Sequence, residues 1–300
     1  MTAELAYLGG RARRGPVRDF LRLVTIEHSV FALPFAYIAA LTAMRPDVSW
    51  WRLALITVAM VAARTFAMAV NRLIDRHIDA RNPRTAHREL VTGAMSVRTA
   101  WLGASVALAT FLAVAAVLSR LTLVLAPVAV VPPVVYPYAK RFTWAPHAVL
   151  ALAQAVAPIG AWLAVTGRWS WPAVVLGVAV GLWIGGFDVI YACQDVDVDR
   201  AIGVRSLPAR FGVPVALRVS SAVHAVTFAA FVWYGALVHY GGWWYAGLAL
   251  TAIAFCYEHA IVRPDDLSRV NRAFFTANGF VGVALFAFAL ADLVARGLRA

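Results

Sequence analysis

The sequence predicts an all-α membrane protein, with nine transmembrane helices around a central cavity and two related halves. Three observations predict it. Of 300 residues, 62% are hydrophobic and only 14% are charged, far from the composition of a water-soluble domain. Apolar stretches long enough to cross a bilayer recur, roughly at 21–44, 50–70, 97–118, 121–138, 144–165, 171–191, 216–239, 243–262 and 274–295. The cations then sort by side. The N-terminal tail and alternate loops hold 20 of the 27 Arg and Lys residues, whereas the opposite side holds only Arg45, Arg52, Arg120, Arg168, Arg296 and Arg299. By the positive-inside rule the N-terminus is cytoplasmic, in a multi-pass protein of the cell's inner (plasma) membrane.

Residues 1–20 are Arg-rich but lack an apolar core and a small-residue cleavage site, so they read as a basic cytoplasmic tail rather than a signal peptide. No linker separates domains, and 1–300 reads as one integral-membrane domain. Span one carries Arg22 and His28 in its first turns, placed for an acceptor molecule or for headgroup anchoring. Span two carries Arg64 within it and ends Asn71-Arg-Leu-Ile-Asp75-Arg-His-Ile-Asp79. Span four contains Pro127, Pro132, Pro133 and Pro137 and is expected to kink or break. It ends Tyr136-Pro-Tyr138-Ala-Lys140-Arg141, with the only lysine in a chain of 26 arginines. A compact ammonium there suits a phosphate, or it is an ordinary positive-inside residue. Span six carries Asp188 and ends Tyr191-Ala-Cys-Gln-Asp195-Val-Asp-Val-Asp199. Glu258 and His259, near the end of span eight, read as an interfacial polar cap, and the eleven tryptophans mostly as interfacial anchors. Cys193 and Cys256 have no metal-ligand spacing and read as small packing residues.

The two acidic segments share one spacing, a polar residue followed four and eight positions later by Asp. Steps of four keep side chains on one helical face, so each segment stacks two carboxylates where a greasy helix meets water. Like charges at that spacing repel, so a cation belongs between them. Magnesium, held by carboxylates and a substrate's phosphates, fits. Asp197 points away from this face. Arg64 stands seven residues before Asn71, and Asp188 seven before Asp195, nearly two turns deeper. They either line one polar cavity beneath a metal cluster or form an ion pair stitching spans two and six. Arg72, Arg84 and Arg205 are candidates to clamp phosphate oxygens. The polar stretches 71–96 and 200–214 are long enough to fold over a site. The matching Asp segments, about 120 residues apart, suggest two halves facing a shared cavity.

The net charge of +12 does not indicate nucleic acid, because the cations line one membrane face and there is no soluble domain to bind it. A transporter using span-end carboxylates is the alternative class, but carboxylates beside basic loops suit a diphosphate better than a bare cation.

Asn71-xxx-Asp75-xxx-Asp79, Tyr136-Pro-x-x-Lys140-Arg141, and Tyr191-Ala-x-x-Asp195-xxx-Asp199 followed by Gly203-x-x-Ser206-x-Pro208-x-x-x-Gly212 resemble the UbiA superfamily of intramembrane aromatic prenyltransferases. The resemblance runs from about Arg22 to Phe275. Phe31-Ala-Leu-Pro-Phe35, Asn82-Pro-Arg-Thr85 and Asn271-Arg-Ala-Phe-Phe275 are similar to a branch labelled 4-hydroxybenzoate polyprenyltransferase-like, often found in menaquinone makers, where the acceptor is 1,4-dihydroxy-6-naphthoate. The resemblance implies nine helices with a side opening to lipid. It implies that Asn71, Asp75, Asp79, Asp195 and Asp199 hold two Mg2+ ions on a polyprenyl diphosphate. Lys140 would touch the leaving phosphate, helped by Arg72, Arg141 and Arg205. Asp188 would face an aromatic acid acceptor, with Tyr191 nearby and Arg22 or Arg64 holding its carboxylate.

Overall fold

The computed structural model describes Phe20, Leu23 and residues 32–299. Arg22, His28 and the tail through residue 19 lie outside the described residues. The elements in order are α1 (Leu33–Met44), α2 (Trp50–Asp79), α3 (Glu89–Thr92), α4 (Val97–Leu118), α5 (Arg120–Phe142), α6 (Pro146–Thr166), α7 (Trp171–Ala192), a 3-10 turn (Cys193–Asp195), α8 (Val196–Ile202), α9 (Leu207–Phe211), α10 (Val213–Leu237), α11 (Gly242–Ile261), α12 (Val270–Arg272), a π-helical turn (Ala273–Ala277) and α13 (Asn278–Ala295). Among the described residues the regular structure is helical, with two isolated β-bridges.

Local chemistry sets the helix starts. Ser49, Ser96 and Ser119 each accept a hydrogen bond from the backbone N–H three residues on. Pro146, Pro172 and Pro214 occupy first-turn positions of α6, α7 and α10, where a missing N–H costs nothing. Gly167 ends α6 at φ 64°.

Among the described residues, seven helical stretches are long and apolar enough to cross a membrane: α2, α4, α5, α6, the run Trp171–Ile202, α10 and the run Val270–Ala295. α1 is apolar but shorter as described. α11 has 20 residues but includes Trp243, Trp244, Tyr245, Tyr257, Glu258 and His259, which dilute its apolar character. The expected break in span four does not occur. α5 runs unbroken through its four prolines, because proline keeps φ helical even where it removes a donor.

The helices follow one another around the molecule. α2 packs on α4, α5 on α6, α6 on α7, α7 on α10 and α11 on α13, and α13 returns to α1. Gly177, Gly181 and Gly185 on α7 face α6 so closely that a Cβ at Gly181 would lie 2.4 Å from the Ala151 carbonyl oxygen. The neighbouring Gly186 faces α10, where a Cβ would lie 2.6 Å from the His224 ring.

An apolar cavity draws most of its wall from the first half of the chain and the rest from α6, the first span of the second half. About 400 Å³ in volume, it is lined by α2, α4, α5 and α6 with the start of α1, and α7 contributes nothing to its wall. Small residues leave the space, among them Ala63, Ala67, Ala126, Ala129, Ala157 and Gly160. On the opposite side α1, α7, α10, α11 and α13 close on Phe35, Trp183, Phe231, Tyr234 and Trp244, all fully buried. Trp50, Trp51, Trp101, Trp169 and Trp171 are exposed, as interfacial anchors should be. Cys193 packs in the interior, whereas Cys256 is exposed, which corrects its reading as a packing residue.

Candidate active site at the mouth of the cavity

The cavity is apolar except at Arg64, Asn71, Thr122, Tyr136, Gln154 and the Trp169 indole. Asn71 and Tyr136 also begin the two polar segments that continue beyond the cavity's end. One turn past Asn71 stands Asp75, and one turn past Tyr136 stands Lys140. They meet, with Lys140 Nζ donating to Asp75 Oδ2 at 2.8 Å. Lys140 also lies over the Tyr136 ring, 4.7 Å from its centroid. Arg141 Nη2 donates to the Ile74 carbonyl at 2.8 Å and stands 3.6 Å from Asp75 Oδ1.

The first acidic segment is the last two turns of α2, so Asn71, Asp75 and Asp79 share a face as the spacing predicts. The second is not one helix. Tyr191 lies in α7, Asp195 ends the 3-10 turn and Asp199 lies in α8. Asp199 is buried and accepts from Ser206 Oγ at 2.9 Å. Asp197 is exposed.

The stretch after α2 folds onto the second segment. Asn82 Nδ2 donates to Asp195 Oδ1 at 3.0 Å. Arg84 grips the same carboxylate with both arms, Nε to Oδ1 at 2.9 Å and Nη2 to Oδ2 at 2.5 Å. Its Nη1 donates to the Tyr191 hydroxyl at 3.1 Å. Burial works against the Arg84 charge, but the hydrogen bond and charge of Asp195 outweigh it, so Arg84 holds its proton more firmly than an ordinary arginine. Arg88 pairs with Asp79.

The other expected residues are placed as follows. Arg64 lies in the cavity wall, and its Nε is buried without a hydrogen-bond partner among the described residues. It makes no ion pair with Asp188, which instead meets His147 Nδ1 at 2.7 Å. The stitching ion pair is therefore excluded. Arg72 reaches back to the Leu23 carbonyl at 3.5 Å. Arg205 is turned from the carboxylates. Its backbone N–H donates to the Lys140 carbonyl at 2.8 Å, and its Nη1 to the Phe142 carbonyl at 2.9 Å.

Arg88 and His147 were not foreseen. Their partners lie nine and 41 residues away along the chain, and no short-range pattern reports such contacts. Glu258 was misread as an interfacial cap. It is 1% exposed, accepts from Asn278 Nδ2 at 2.9 Å, and lies 3.8 Å from His224 Nδ1. Asn278 also accepts from Trp183 Nε1 at 2.8 Å, and His224 meets His259 at 3.0 Å.

Among the described residues no three carboxylate, histidine or cysteine groups converge as a ready-made metal cage. Asp75, Asp79 and Asp195 are each matched by a cationic side chain instead. The donor set nevertheless suits a hard divalent cation, being oxygen throughout. One of those oxygens, Asp75 Oδ1, is buried and takes no hydrogen bond.

A helical membrane protein with paired carboxylates and cations at the end of an apolar cavity is built for a ligand with a lipid tail and an anionic head. The enzyme class is aromatic polyprenyltransferase. The chain belongs to the UbiA prenyltransferase family, whose model matches residues 32–280. It is 28% identical over 281 residues to a 4-hydroxybenzoate octaprenyltransferase of Pseudomonas fluorescens, covering 93% of this chain and 94% of that one. It is 34% identical over 241 residues to the enzyme of the same name from Nitrosospira multiformis, covering 79% and 81%. Among solved structures, a UbiA homolog from Aeropyrum pernix superposes with TM-score 0.81 at 35% identity, over 89% of this chain and 98% of that one. A UbiA homolog from Archaeoglobus fulgidus, bound to GPP and Mg2+, shares the fold with TM-score 0.72 at 22% identity, over 92% and 99%.

Proposed function

We propose that this protein transfers a polyprenyl group from polyprenyl diphosphate to an aromatic acid, 4-hydroxybenzoate or 1,4-dihydroxy-6-naphthoate, in quinone biosynthesis. One observation carries the reading: Asp75 and Lys140 meet one turn beyond Asn71 and Tyr136, the polar end of an otherwise apolar cavity. The relatives that bear the name 4-hydroxybenzoate octaprenyltransferase support this chemistry. In this reading the whole chain is a single domain crossing the plasma membrane nine times. The acidic segments face the cytoplasm, as the cation asymmetry indicates.

The prenyl tail lies along the small residues of α2, α4, α5 and α6, and the diphosphate sits at the polar end. Asn71, Asp75, Asp79, Asp195 and Asp199 would hold Mg2+ there, which when bound supplies charge that stabilises the leaving diphosphate. Lys140, Arg72 and Arg141 turn toward diphosphate oxygens, joined by Arg84 and Arg88 as those release Asp195 and Asp79. The donor's allylic C–O bond breaks, and its electron pair leaves on the diphosphate. The 82–92 stretch covers the site and keeps water from the allylic cation. An electron-rich ring carbon of the acceptor closes on that cation. Arg64 holds the acceptor's carboxylate and Asp188 meets its hydroxyl, with Tyr191 alongside.

The test is to incubate the purified protein with labelled geranyl diphosphate, Mg2+ and a panel of aromatic acids, and to read products by mass. A prenylated hydroxybenzoate or hydroxynaphthoate is expected. If no aromatic acid is prenylated, the proposal fails.

A further inference from the structure

His147 stands in the first turn of α6 and is 7% exposed. Its Nδ1 lies 2.7 Å from Asp188 Oδ2 on α7. A carboxylate oxygen accepts, so the ring presents its N–H at Nδ1. Its Nε2 is buried and has no hydrogen-bond partner among the described residues. The backbone builds this contact. Gly185, three residues before Asp188, lies so near α6 that a Cβ there would sit 3.1 Å from the His147 carbonyl oxygen. An alanine at 185 would require α6 to give by a few tenths of an ångström beside His147.

The hydrogen bond engages one carboxylate oxygen. Asp188 Oδ1 takes no hydrogen bond from a described residue, and the side chain stays 16% accessible. Asp188 is joined through His147 to α6, a helix of the cavity wall. On α6, Leu150 and Gln154 line the cavity. They stand three and seven residues after His147, so His147 caps the same helical face.

We propose that His147 is a positioning residue for proton removal. By donating from Nδ1 to Oδ2 it fixes the Asp188 carboxylate, so that Oδ1 alone receives the hydroxyl of the aromatic acceptor. This rests on the reading of Asp188 given above. As the ring carbon's electron pair closes on the allylic cation, the hydroxyl proton passes to Oδ1, leaving a neutral dienone. The ring C–H proton then leaves to the departed diphosphate, and the proton on Asp188 returns to oxygen. Aromaticity is restored and the balance closes.

The full chain in nanodiscs, with geranyl diphosphate, Mg2+ and 4-hydroxybenzoate, provides the test. Asparagine can place an N–H where Nδ1 stands, whereas leucine cannot. His147→Asn should keep kcat within about threefold, and His147→Leu should lose about 100-fold, with KM for geranyl diphosphate unchanged. A ring-fluorinated acceptor whose hydroxyl is already ionised at the assay pH should shrink the leucine deficit to about threefold, because no proton then needs a base. If His147→Leu does not purify, His147→Gln, whose N–H reaches the Nε2 position, takes its place. The proposal is overturned if the asparagine variant is as slow as the leucine or glutamine variant. It is equally overturned if the deficit persists with the ionised acceptor, or appears as a higher KM for the donor. Leucine and glutamine variants as fast as a working wild type would sink this inference alone. A wild type that prenylates no aromatic acid would sink it together with the acceptor reading.

Discussion

One side of this molecule is hollow and the other is filled, though both are built from apolar helices of similar length. On the hollow side α2, α4, α5 and α6 present alanine, glycine and proline to one another. On the filled side α1, α7, α10, α11 and α13 interleave Phe35, Trp183, Phe231, Tyr234 and Trp244. Phe35 and Phe231 stack with centroids 5.7 Å apart, and Tyr240 and Trp244 at 4.9 Å. The difference teaches that side-chain volume, rather than hydrophobicity, decides where a membrane-embedded substrate can lie. The filled side in turn gives the hollow one a rigid wall. α7 is pressed between α6 and α10 by the glycines at 185 and 186, and it carries Asp188 to the site.

The comparison can be broken most severely at the carboxylates, where neither packing regime operates. Asp195→Ala or Asp75→Ala should lower turnover about 1000-fold while the protein still inserts and purifies, read by product formation and gel filtration. Near-normal turnover would remove the site from the mouth of the hollow. Hollowing the filled side comes next. Trp244→Ala should destabilise the fold by about 3–5 kcal/mol, read as a lower unfolding midpoint in detergent, with the range of accepted prenyl donors unchanged. Filling the hollow should do the reverse. Ala157→Phe should raise KM about tenfold for a long-chain polyprenyl diphosphate and hardly change it for dimethylallyl diphosphate, with stability near wild type. The smallest effect is expected at Arg84. With its guanidinium removed, Asp195 is freed, and Mn2+ binding without diphosphate should tighten severalfold in a spin-resonance titration.

What the sequence disclosed follows its range of interaction. Seven of the nine expected spans and the shared face of Asn71, Asp75 and Asp79 were legible, because hydropathy and helical spacing are local properties. The prolines of α5 announced a kink or a break, and the unbroken helix excludes only the break. The one-sided cavity could not be read from the sequence, because the order in which helices meet is needed to place it. His147 with Asp188, Arg84 with Asp195 and Glu258 with Asn278 depend on close approach between segments far apart in the chain. Asp188, Asp195 and Arg84 stood out in the sequence, but the partner each one meets is read only from the fold.

Two hydrogen-bonded straps cross at the site in opposite directions. Asn82 and Arg84, from the connection after α2, hold the carboxylate of Asp195. Arg205, from the connection after α8, holds the carbonyls of Lys140 and Phe142 at the end of α5. Each portion of the polypeptide thus finishes the other's side of the candidate site, like two hands that each clasp the opposite wrist. A chain severed at the turn around Gly167 should leave fragments that are inert apart and regain turnover when co-expressed. A lesion at Arg205 should be felt first at Lys140, in the portion that does not contain it.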